Sequence, residues 1–130
     1  MNKIAEKQII NYIAEREIEE RKILSSSFNI VCEKITLKNN VAFVAKYYQN
    51  KKDEFNSIIS EANSLSYLSN ITSLVPKIKF NSDDLLIMDY IENNGIKSEN
   101  YQLTLAKEIL KIHKNSNTKY GFKFAAQIGA

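Results

Sequence analysis

Residues 30–37 and 41–48 are two apolar runs rich in β-branched and aromatic side chains, with only Lys38-Asn39-Asn40 between them. Such runs read as strands. Asparagine tolerates positive φ, so the spacer reads as a tight turn and the pair as a hairpin. A lone hairpin is marginal in water, and the next segment offers cover. From 53 to 68, Phe55, Ile58, Ile59, Ala62, Leu65 and Leu68 recur at intervals of three and four, the stripe of an amphipathic helix. Asp53 and Glu54 suit the positive end of its dipole.

The flanking segments complete a layout. Residues 3–15 read as a short amphipathic helix carrying Ile4, Ile9, Ile10 and Ile13. Residues 17–24 fit either continued helix or an edge strand, and Ser25-Ser26-Ser27 breaks the pattern. After the second helix, Ser73-Leu74-Val75-Pro76 ends the helical region. Lys77-Ile78-Lys79-Phe80 alternates like a half-exposed strand, and residues 81–84 form a turn. Leu85-Leu86-Ile87-Met88-Asp89-Tyr90-Ile91 is a continuous apolar strand, followed by the loop Glu92-Asn93-Asn94-Gly95. A last helix covers 100–114, with Leu103, Leu105, Ala106, Ile109, Leu110 and Ile112 apolar. The predicted class is α+β, a small antiparallel sheet of about five strands with one helix packed against it.

Composition removes several functions. A length of 130 residues is that of one domain. Cys32 is the only cysteine and His113 the only histidine, which excludes an internal disulfide and the usual Cys/His zinc site. No apolar run approaches the roughly 20 residues of a membrane span. The first residues, Met1-Asn2-Lys3-Ile4-Ala5-Glu6-Lys7, lack the apolar stretch of a signal peptide, so a cytoplasmic location is expected and no membrane partner. Eighteen basic and fifteen acidic residues are interspersed, for a net charge of +3. No basic stripe interleaved with aromatics appears, which argues against a nucleic-acid partner. Cys32 reads as a buried thiol and His113 as a cap or packing residue at a helix end.

Lys46 stands inside an otherwise apolar strand, where an ammonium needs either water or a partner. Strand alternation that turns it to solvent is one reading. Glu61 lies three residues after Ile58 and four before Leu65, on the flank of the helical stripe. It reads either as a rim carboxylate or as the partner of Lys46. A strand lysine held by a helix glutamate is the phosphate clamp of protein-kinase-like folds. Ser25-Ser26-Ser27-Phe28-Asn29 lies before the hairpin, where kinases carry glycines that let the backbone approach phosphate. An ordinary serine-rich turn is the competing reading, since Gly95, Gly121 and Gly129 all lie elsewhere.

In order along the chain these pieces resemble the N-terminal part of the fructosamine (ketosamine) kinases, within the wider aminoglycoside and choline phosphotransferase group. The resemblance rests on Phe43-Val44-Ala45-Lys46, on Phe55 through Glu61-Ala62 to Leu68, and on Val75-Pro76-Lys77. It continues through residues 85–91 to Leu105-Ala106, Ile112-His113 and Tyr120-Gly121-Phe122. It implies a kinase-like N-lobe over 1–91, then a hinge and the start of a C-lobe over 92–130. It implies ATP as nucleotide, with Lys46 on its phosphates and Glu61 holding Lys46. Met88 would line the adenine pocket, and the Asp89 carbonyl and the Ile91 N–H would read the adenine edge. The serine loop would cover the phosphates.

The complete family enzyme phosphorylates ketosamine adducts with ATP and Mg²⁺. Its HGD…N loop and Mg-binding acids have no counterpart here, since Asp89 is the last aspartate. The resemblance therefore implies a truncated chain that binds nucleotide and does not catalyse transfer alone. Two other readings stay open: another aminoglycoside- or choline-kinase-like fragment, or a small α+β interaction module that self-associates through the helix over 100–114.

Overall fold

The computed structural model describes residues 2–121 and 123–125. Helix α1 (Lys3–Ile13) is followed by strands β1 (Ile18–Ser27), β2 (Ile30–Leu37) and β3 (Ala42–Tyr48). Then come helix α2 (Ser57–Ser69), strands β4 (Ile78–Asn81) and β5 (Leu85–Asp89), and helix α3 (Tyr101–Lys114). The five strands form one antiparallel sheet in the order β1-β2-β3-β5-β4. The β2–β3 turn is the one expected: Asn40 takes φ 65°, and its N–H donates to the Leu37 carbonyl at 2.9 Å.

Alternation splits the sheet into two faces, each closed by a helix. On one face Val31, Ile35, Leu37, Phe43, Ala45, Tyr47, Leu85 and Ile87 pack against Ala5, Ile9 and Ile13 of α1. On the other, Val44, Tyr48, Leu86 and Met88 pack against Ile58 and Ala62 of α2. The sheet is thus covered by two helices rather than one, and the first takes a different stripe from the one expected. Ala5, Ile9 and Ile13 point inward at intervals of four, while Ile4 and Ile10 are exposed.

Two other boundaries differ from expectation. Of the segment 17–24, all but Glu17 joins the three serines in one strand, Ile18–Ser27, paired with β2 through Ser25↔Cys32, Ser26↔Val31 and Ser27↔Ile30. Only Phe28 and Asn29 turn. Helix α2 begins at Ser57, so Asp53, Glu54 and Phe55 precede it and its first turn holds no acid. The reason is Asn56, whose Oδ1 accepts from the N–H groups of Ile58 and Ile59 at 3.1 Å each. This side-chain cap contributes about 1 kcal/mol and fixes the start where a dipole argument alone does not.

A charged cluster lies under α1. Glu33 sits in the apolar alternation of β2 and is 3% exposed. Arg21 of β1 reaches it through Nε at 3.1 Å and through a second, shorter bond from Nη2. The Nη1 of Arg21 also donates to both Glu6 oxygens, at 2.8 and 3.0 Å. The Tyr47 hydroxyl donates to Glu33 Oε1 at 3.0 Å. The bonds to Glu33 raise the Arg21 pKa far above its ordinary value. Burial, with the adjacent carboxylate, pushes the Tyr47 phenol up to about 12.

A phenol whose pKa is higher folded than unfolded adds stability that is complete below pH of about 10 and is lost as pH rises through about 12. Tyr47→Phe lacks this dependence and also lacks the bond to Glu33. It is expected to be less stable than the parent at pH 8, with the gap closing from pH of about 10 upward. Chemical denaturation of both proteins across that range measures it.

Candidate nucleotide site

The α2-side face of the sheet can be read as rows across the strands, because directly paired residues share a face. One row is Ser25–Cys32–Lys46–Leu86, and the next is Lys34–Val44–Met88. On the other side of Lys46 lies the row Ser27–Ile30–Tyr48. Helix α2 covers the β3, β5 and β4 part of this face, while Ser25 is exposed and Cys32 and Lys34 are half-buried. The β1 side of the face is therefore open, and Lys46 stands at its edge.

The register of α2 against β3 brings Lys46 and Glu61 together. Tyr48 Oη accepts from the N–H of Ser57 at 2.8 Å and bolts the start of α2 to β3. Lys46 lies two residues back along β3, roughly 6.6 Å away at 3.3 Å per residue. Glu61 lies four residues along α2, roughly 6 Å at 1.5 Å per residue. The two offsets match, and Lys46 Nζ meets Glu61 Oε1 at 2.7 Å and Oε2 at 3.0 Å. Their side chains are 26% and 35% exposed, so the pair is reachable from solvent. The carboxylate engages two of the three ammonium donors, and the third remains for an anion on the open face.

The other expected site residues are placed as follows. Ser25 shares the row of Lys46, and Ser27 lies on the same face at the hairpin end. Ser26 pairs with Val31 and so lies on the α1 face. Met88 is buried, opposite Val44 and one row from Lys46. Asp89 donates its N–H to the Lys77 carbonyl at 3.0 Å, and its carboxylate pairs with Lys79 at 3.2 Å. Ile91 is exposed just past the end of β5. Cys32 is half-buried, and burial pushes its thiol pKa up, opposed by the Lys46 charge. His113 is exposed in the last turn of α3. Phe122 lies outside the described residues.

One functional candidate, Lys34, escaped the sequence reading, and a second, Asn29, belongs to the loop it singled out but was given no role of its own. Lys34 stacks its ammonium over the Tyr90 ring at 4.0 Å, across the β2 edge of the Met88 row. Asn29, at the hairpin tip, bonds to the segment that leads into α2. The asparagine carried a signal, since it sits between two strand runs in a chain with few glycines. Among the described residues no three His, Cys, Asp or Glu side chains converge as a metal site. None of the described helices is long and apolar enough to cross a membrane.

A five-stranded antiparallel sheet with a lysine on its third strand, paired with a glutamate on the following helix, has the layout of kinase-like folds. Solved structures agree on the fold. A presumptive fructosamine-3-kinase from Thermobifida fusca superposes with a TM-score of 0.59 at 17% identity, over 75% of this chain and 34% of that one. An ethanolamine kinase from Plasmodium vivax gives 0.53 at 16% identity, over 88% of this chain and 31% of that one. The chain thus spans about a third of the length of each. No curated protein matches the sequence. The family model for fructosamine kinase matches residues 1–130, and the chain belongs to that family.

Proposed function

We propose that this chain is the nucleotide-binding part of an ATP-dependent phosphotransferase that acts on ketosamine hydroxyls. Membership of the fructosamine kinase family supports the reaction class. The observation that carries the nucleotide role is the two-pronged bond from Lys46 to Glu61 beside an open sheet face. In this reading residues 1–91 are the N-lobe, and residues 92–130 are the hinge and the start of a C-lobe. ATP supplies the phosphoryl group. Lys46 holds the α- and β-phosphates, and Glu61 keeps the ammonium extended toward them. Val44 and Met88 pack on adenine, the Asp89 carbonyl and the Ile91 N–H meet its edge, and Ser25 and Ser27 border the phosphates, while Ser26, expected with them, faces α1 and takes no part.

Among the described residues no group of acids fits a protein-held Mg²⁺. With no aspartate after Asp89, the 130-residue chain also offers no family-type base for the acceptor hydroxyl. We therefore expect it to bind nucleotide without transferring phosphate by itself. A cytoplasmic setting, where ATP is plentiful, goes with this reading. On α3 no described residue is buried, and Leu103, Leu105, Ile109 and Leu110 are exposed. That surface is proposed to be covered in the working protein, by further kinase residues or by a second copy.

The test has two arms on the purified chain. Calorimetric titration with Mg-ATP is expected to show saturable binding, and its absence removes the proposal. Incubation with a ketosamine and radiolabelled ATP is expected to give no labelled product, and product formation overturns the inactivity.

A further inference from the structure

The β1–β2 turn consists of Phe28 and Asn29, with φ of 49° and 62°, between the paired residues Ser27 and Ile30. Positive φ at both positions is the I′ geometry, which glycine usually supplies. Phe28 is a bulky residue in a region such residues avoid, and the residue is 68% exposed. Its own packing therefore does not hold the turn in place.

The bonds of Asn29 account for the turn. The Asn29 carbonyl accepts from the N–H of Gln49 at 2.8 Å. Its Nδ2 donates to the Lys51 carbonyl at 2.8 Å and to Asp53 Oδ1 at 3.5 Å, and its Oδ1 accepts from the N–H of Asn50 at 3.0 Å. All four bonds run to the connection between β3 and α2. That connection starts beside Tyr48, which anchors α2, and so beside the two elements that bring Lys46 to Glu61. The hairpin tip is thereby tied to the same frame as the ion pair.

The row order says which part of a nucleotide the tip faces. Met88 and Val44 form one row, Lys46 the next, and Ile30 and Tyr48 the row after that, adjacent to the turn. A ligand with its base on the first row and its phosphates on Lys46 directs the far end of its phosphate chain at the turn. We infer that Asn29 is a positioning residue that locks the β1–β2 tip over the phosphate end of the site. Its side-chain bonds supply the fixed placement, and no glycine is needed. This inference rests on the nucleotide reading given above.

The test compares two ligands on wild type, Asn29→Gly and Lys46→Ala. Glycine keeps positive φ without strain, so Asn29→Gly removes the side-chain bonds and leaves the turn. Mg-ATP affinity of Asn29→Gly is expected to fall about tenfold, with adenosine affinity unchanged. Amide exchange over residues 26–30 is expected to accelerate. Unchanged Mg-ATP affinity in Asn29→Gly, beside a clear loss in Lys46→Ala, overturns the positioning role of Asn29 and leaves the nucleotide reading standing. Equal losses for Mg-ATP and adenosine overturn it as well, since they indicate a general loosening of the fold. Wild type that binds neither ligand overturns both readings.

Discussion

Lys46→Ala is expected to weaken Mg-ATP binding by on the order of 10–100-fold, the range for losing charged hydrogen bonds to phosphate. The effect is assigned to the ligand because the ion pair itself contributes little to folding. Lys46 and Glu61 are 26% and 35% exposed, and pairs of that accessibility are worth at most about 1 kcal/mol. The variant should therefore unfold within a few degrees of the parent. Glu61→Gln retains the ammonium and loses only its holder, so its loss of affinity should be smaller. Titration calorimetry on the three proteins orders them. Equal affinities for wild type and Lys46→Ala contradict the assignment.

The second large effect is on stability. In Arg21→Met the Glu33 carboxylate stays buried, and among the described residues the Tyr47 hydroxyl is its remaining hydrogen-bond partner. Removing one partner from a buried pair costs about 3–5 kcal/mol, which lowers the unfolding midpoint by on the order of 10 °C or more. Adding Glu33→Leu removes the stranded charge, and apolar replacement of buried pairs is often near neutral. The double variant should recover most of the loss, although Tyr47 then lacks its acceptor. Thermal unfolding followed by circular dichroism reads both. A single variant as stable as the parent would show that Glu33 does not depend on Arg21.

The cluster shows where sequence and structure part. In Val31, Glu33, Ile35 and Leu37 the acid occupies an inward position of the strand alternation, so its burial is visible in the order of residues. Its partner is not visible, because Arg21 sits in a segment that fits helix or strand equally. Pairing with β2 decides that segment, a tertiary effect that local propensity does not contain. The same pairing absorbs the three serines into β1 and shortens the loop to Phe28 and Asn29. The β2–β3 hairpin was legible because turn chemistry and apolar runs agree. The approach of Lys46 to Glu61 was legible as one of two alternatives. What decides it is the anchor from Tyr48 to Ser57, a contact between residues whose partnership no periodicity announces. Helix α1 was seen as amphipathic, yet its inward stripe depended on which sheet face lacked cover.

Amide-resolved NMR titration of the chain with Mg-ATP tests the central claim most directly. Saturable shifts are predicted at Ser25 through Ile30, at Lys46, at Glu61 and from Met88 to Ile91, with helix α1 itself unmoved. Shifts confined to α1 and its side of the sheet, or none that saturate, would contradict a phosphate grip by Lys46 and Glu61.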